Sequence, residues 1–113
     1  MNSFERGHKA EAVAATYLER HGYVIVDRNW RTRWCEIDIV AQKEHCMYFV
    51  EVKYRRYTQN GTGLEYITSK KLSQMIRAAE SWVQANTWNQ EYNLLAVEVR
   101  GVIPAVYRAV LAL

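Results

Sequence analysis

The chain has 113 residues, half of them hydrophobic, and 15 Lys and Arg stand against 12 Asp and Glu for a formal net charge of +3. That length predicts one domain, residues 1–113, because two cores would leave each with too little chain to bury. The run of about 20 apolar residues that a bilayer span needs is missing, and the opening "MNSFERGHKAEAV" has charges where a signal peptide needs its apolar segment, so a cytoplasmic protein is expected. Cys35 and Cys46 are too few for a disulfide framework and lack the paired spacing of a zinc site, which leaves them as free thiols. The mild basic excess suits an anionic partner without identifying one.

Taken in chain order, Ala10, Val13, Ala14, Tyr17 and Leu18 repeat at helical spacing and predict an amphipathic helix over residues 4–21, with Ser3 as its cap and Gly22 as its end. The β-branched "YVIVDRN" (residues 23–29) predicts a first strand, followed by the connection "WRTRW". Residues 35–41 and 48–54 predict two more strands about the turn "KEHC". "RRYTQNGTGLEYIT" has the turn chemistry of Asn60, Gly61 and Gly63 and predicts a loop. Leu72, Met75, Ile76, Ala79, Trp82 and Val83 predict a second helix over residues 69–85, and "YNLLAVEV" and "AVYRAVLAL" two last strands around the only proline, Pro104. The order αβββαββ implies an α/β fold: a central mixed sheet with a helix on each face, the second helix crossing over between strands three and four.

The hairpin "EIDIVAQKEHCMYFVEVK" (residues 36–53) carries three carboxylates and a lysine where a sheet usually holds Val or Ile. Symmetric pairing about its turn sets Asp38 opposite Glu51 and Glu36 opposite Lys53. Alternation then puts Glu36, Asp38 and Val40 on one face with Phe49, Glu51 and Lys53, and Ile37, Ile39, Val50 and Val52 on the other. Directly opposed Cβ atoms are ~5 Å apart, where like charges destabilise a sheet, so Asp38 and Glu51 need either Lys53 or a bound cation to compensate them. One reading is a solvated ion-pair network with a Glu36–Lys53 salt bridge. Val40 and Phe49 continue the same face, however, and set the acids at the margin of a core. A hard cation such as Mg²⁺ takes carboxylate, carbonyl and water oxygens there and leaves positions open for phosphate, with Lys53 in reach of a scissile phosphate or an attacking water. That is phosphodiester chemistry.

Asp38 followed by Glu51, Val52 and Lys53 resembles the signature of the PD-(D/E)XK nucleases, with Ile37 in place of the proline. "RNWRTRWCEIDIVA", "FVEVKYR" and "GHKAEAVAATYLERHGY" resemble the bacterial YraN-like family of uncharacterised, endonuclease-like proteins, which is similar to archaeal-type Holliday junction resolvases; the likeness covers residues 5–80. Cys35 stands where that family usually has glycine, and "NLL" (residues 93–95) where it commonly has Arg-x-Asp.

The resemblance implies a restriction-endonuclease-like fold and a Mg²⁺- or Mn²⁺-dependent endonuclease. Asp38 and Glu51 would be ligands, the Val52 carbonyl a third, and Glu11 would reach the metal directly or through water. A helical wheel sets Glu11 beside Leu18 at the edge of the apolar stripe, where it can look into the sheet's margin. Lys53 would position the water or stabilise charge on the phosphorane, and Glu36 would stand behind the ligands or orient Lys53. Arg31, Arg33, Arg55, Arg56, Lys70 and Lys71, with Arg28 and Arg77, predict a phosphate-binding rim interleaved with Trp30, Trp34, Tyr54 and Tyr57. The expected partner is nucleic acid, DNA ahead of RNA, with no membrane; a homodimer would suit symmetric cutting of a junction. The rival is a DNA-binding or partner-binding module that keeps the fold and does not cut.

Overall fold

The computed structural model describes residues 3–56 and 67–111. Helix α1 (Ser3–Arg20) is followed by strands β1 (Val24–Arg31), β2 (Glu36–Lys43) and β3 (Cys46–Arg55), helix α2 (Ser69–Ala85), and strands β4 (Glu91–Arg100) and β5 (Ala105–Leu111). The order αβββαββ is the expected one. The predicted loop lies largely outside the described residues, as do the side chain of Ser3 and the stacking role of Tyr57.

Local chemistry sets the helix ends. Gly22, at a φ of 88°, follows α1 in the left-handed conformation that closes a helix, with the Tyr23 N–H donating to the Leu18 carbonyl at 3.0 Å. Thr68 caps α2, its hydroxyl accepting from the Lys71 N–H at 3.1 Å.

The five strands lie in the order β1-β2-β3-β4-β5, antiparallel except for the parallel pair β3–β4, which α2 connects as the crossover. Each sheet face carries one helix. Ala10, Ala14, Ala15 and Leu18 of α1 pack on Ile39, Ala41, Val50, Leu95, Val97 and Val99. Met75, Ala78, Ala79 and Trp82 of α2 pack on Ile37, Val40, Met47, Phe49 and Leu94, with the Phe49 and Trp82 rings edge to face at 5.6 Å. Among the described residues no helix is long and apolar enough to cross a membrane.

Two departures from simple alternation reshape the margin of the sheet. Ile37 packs under α2 and not with Ile39, which packs under α1, so β2 turns over between them, at Asp38. Asn29, which the flanking pairs Arg28–Ile39 and Trp30–Ile37 set opposite Asp38, has a φ of 54°, a conformation that asparagine tolerates better than most residues. A bulge two residues earlier, between Ile25 and Asp27, adds to the local twist of β1.

Candidate functional site: an acidic fork between β2 and β3

The hairpin register is the expected one from Lys43–Cys46 to Ile39–Val50, and there it stops. Asp38 and Glu51 do not form the next rung. The Asp38 Oδ2 instead accepts the Val52 backbone N–H at 2.7 Å, replacing a ladder bond by a side-chain bond. A directly opposed pair of acids has either to separate or to give up a charge, and here the rung is lost. The strands part by one rung and the carboxylate finds a backbone donor.

Because β2 turns over at Asp38, Glu36 meets α1. Carboxylate oxygens of Glu11, Glu36 and Asp38 all lie within 4.8 Å of one another. Asn29 organises this triplet: its Nδ2 donates to Glu11 Oε1 at 3.1 Å and to Glu36 Oε1 at 3.2 Å. Arg31 Nε lies 2.8 Å from Glu36 Oε2. The Glu36–Lys53 pair expected from symmetric register is therefore replaced by a Glu36–Arg31 pair with the strand on the other side.

Glu51 finds its cation on α2. Lys71 Nζ lies 3.3 Å from Glu51 Oε2, an ion pair whose angle leaves that buried oxygen short of a hydrogen bond. Lys53 is exposed on β3, in register with Glu98 of β4.

Electrostatics follow from burial. Asp38 is 9% exposed. Burial first, then the neighbouring Glu51, Glu11 and Glu36 carboxylates, push its carboxyl up to about 8, against the Val52 N–H, which favours the ionised form. Burial raises Glu51 too, while Lys71 and Lys53 hold it down. A metal-free fork thus favours the protonated form of Asp38 at neutral pH, first because burial disfavours its charge and then because the neighbouring acids do.

The predicted rim divides. Arg31 and Lys71 both pair with acids, Arg31 from the surface with its side chain 83% exposed and Lys71 from a half-buried position. Arg55 turns towards Glu98, with Nε 3.9 Å from Oε2. Arg33 is exposed with its guanidinium 5.1 Å from the Trp34 ring, and Lys70 is exposed at the start of α2. Arg56 lines a cavity of about 180 Å³ on the α1 side with Arg6, Lys9, Tyr54, Val102 and Pro104. The sequence pattern brought in Asn29 only within a motif and did not pair Lys71 with Glu51. The left-handed Asn29 had no local signal beyond asparagine's tolerance of that conformation, and the Lys71–Glu51 pair spans twenty positions that no periodicity connects.

The chain matches the sequence profile of UPF0102, described as an uncharacterised protein family, over residues 10–101. It is similar to a UPF0102 protein of Leifsonia xyli subsp. xyli, 43% identical over 89% of this chain and 84% of that one. UPF0102 proteins of Cytophaga hutchinsonii and Vibrio cholerae serotype O1 are each 34% identical over 89% of this chain, and over 89% and 87% of their own lengths.

Proposed function

This chain belongs to the uncharacterised protein family UPF0102, and on that premise we propose that it is a divalent-metal-dependent nuclease of the PD-(D/E)XK type that hydrolyses phosphodiesters of DNA. One observation carries the reading: oxygens of Glu11, Glu36 and Asp38 within 4.8 Å of one another, beside a fourth acid and a lysine on β3.

The donor set suits a hard cation. All the donors are carboxylate oxygens, the hard ligands that Mg²⁺ and Mn²⁺ take, and they lie within 4.8 Å of one another. Glu11, Glu36 and Asp38 would hold the ion, with the Val52 carbonyl beside them as a further donor, and Glu51, paired with Lys71 in this structure, would be a fourth acid available to it. When bound, Mg²⁺ or Mn²⁺ supplies Lewis-acid polarisation of a phosphoryl oxygen and lowers the pKa of a coordinated water. The protein's own residues prepare that chemistry. The Val52 N–H fixes the Asp38 carboxylate; Asn29 and Arg31 hold Glu36, and Asn29 also holds Glu11, so the acids converge before any ligand arrives. Lys53 orients the attacking water or meets negative charge on the phosphorane.

The test is a thermal melt with and without Mg²⁺ or Mn²⁺, followed by cleavage of branched, flapped, nicked and single-stranded DNA. Metal should raise the melting temperature by mass action and support cleavage. Asp38→Asn should lose both effects, and Lys53→Ala should keep the melting shift and lose cleavage. A second reading, a binding module that keeps the fold and does not cut, draws on the uncharged "NLL" of β4, where Leu94 and Leu95 are core residues. Metal stabilisation without cleavage of any substrate would select it. No metal effect on the wild type would dismiss the proposed metal site.

A further inference from the structure

Glu98 of β4 is fully buried, and three arginines surround it. Arg100 Nε donates to Oε2, Arg108 Nε of β5 lies 3.5 Å from Oε1, and Arg55 Nε lies 3.9 Å from Oε2. One guanidinium balances one carboxylate. Arg100 and Arg108 alone outnumber it and leave a surplus positive charge at the cluster, and the Arg55, Arg100 and Arg108 side chains keep only 25%, 10% and 30% of their exposure. The Arg108 Nε is buried and makes no hydrogen bond among the described residues, and neither does Glu98 Oε1. Cations held this closely and this dry repel one another unless an anion joins them.

Tyr107 of β5 completes the patch. Its ring is 55% exposed, with the Arg100 guanidinium 3.7 Å and the Arg108 guanidinium 4.9 Å from its centroid. The cations fix the ring's place beside them.

The position of the cluster gives it a role. Lys53, Glu98 and Arg108 are register partners across β3, β4 and β5, and Arg55 and Arg100 form the next row but one. Alternation puts Glu51, Lys53 and Arg55 on the sheet face that holds Glu98 and Arg100. Neighbouring strands are ~4.8 Å apart, so β5 at Arg108 lies about 10 Å from Lys53. The charged row therefore runs from the acidic fork across the sheet to its β5 edge.

We propose that Arg108, with Arg55 and Arg100 organised by Glu98, is a phosphate subsite that holds the DNA backbone beside the position that reacts, and that Tyr107 offers a stacking face to an adjacent base. The inference deepens the nuclease reading and rests on it for the direction of the strand, while its binding chemistry can be measured without metal.

The experiment titrates a labelled single-stranded DNA with the full chain in EDTA over a series of salt concentrations. Arg108→Gln leaves Arg100 on Glu98, so the buried acid keeps a partner. It should weaken binding severalfold at low salt and lower the slope of log affinity against log salt by about 0.7, the value of one single-strand phosphate contact. Tyr107→Ala removes an exposed ring and should cost at least about fivefold by loss of stacking, with little change in that slope. It also keeps the test open if Arg108→Gln fails to fold. Unchanged affinity and slope in a folded Arg108→Gln, or unchanged affinity in Tyr107→Ala when only that variant folds, would overturn the subsite and leave the cluster a structural ion network. Weaker binding by the variants of a wild type that shows no metal-induced rise in melting temperature would keep the subsite and discard the nuclease reading.

Discussion

Replacing Asp38 by Asn should stabilise the metal-free protein, and by an amount that grows with pH. The asparagine side chain keeps an oxygen to accept the Val52 N–H, so the bond observed at 2.7 Å has a successor. What it loses is the charge. The Asp38 carboxyl is pushed from 3.8 up to about 8 in the fold. Below pH 4 the group is neutral in both the folded and unfolded states and costs nothing. Between pH 4 and pH 8 the unfolded chain gives up the proton while the folded one keeps it, so stability falls as pH rises; above pH 8 both states are ionised and the fall levels off. At about 1.4 kcal/mol per pKa unit, the wild type forfeits on the order of 5 kcal/mol across that window. Asp38→Asn avoids this loss. Urea unfolding in EDTA at pH 5, 6.5 and 8 measures it: the variant should exceed the wild type by about 1–2 kcal/mol at pH 5 and by several at pH 8. Contributions from titrating groups remote from the fork cancel in the difference. Parallel stability curves for the two proteins, or a variant less stable at pH 8 than the wild type, would refute the claim that ionised Asp38 destabilises the fold. Adding Mg²⁺ at pH 8 should return part of the deficit to the wild type and nothing to the variant.

Asn29→Gly keeps the left-handed backbone and removes the amide that bridges Glu11 and Glu36; metal affinity, read from the concentration dependence of the melting shift, should fall by about 10- to 100-fold. Lys71→Ala takes the cation from Glu51. The metal-free protein should lose about 1 kcal/mol, while the metal-induced rise in melting temperature should grow, because an added ion no longer competes with the lysine; a smaller rise would contradict the view of Lys71 as a counterion that yields. Phe49→Ala empties a fully buried position against Trp82 and should cost about 3–5 kcal/mol in denaturant unfolding, with the fork's acids untouched.

Residue periodicity by itself determined the element order, because helix and strand patterns are read within a few residues of one another. The bounds of α2 coincide with those expected from Leu72, Met75, Ala79 and Trp82, Gly22 marks the end of α1, and the short turn set the hairpin register as far as Ile39–Val50. It also drew attention to Glu11, Glu36, Asp38, Glu51 and Lys53 as charges in unexpected places. Only the tertiary structure decided which charges meet. Asp38 leaves its rung for a backbone donor, Glu36 goes to Arg31 instead of Lys53, Glu51 takes Lys71 from α2, and Glu98 gathers arginines from three strands. A periodic pattern assigns a side chain to a face. It does not say which of several nearby charges will be partnered, because that depends on neighbours brought together across the sheet and on how much water each pair gives up.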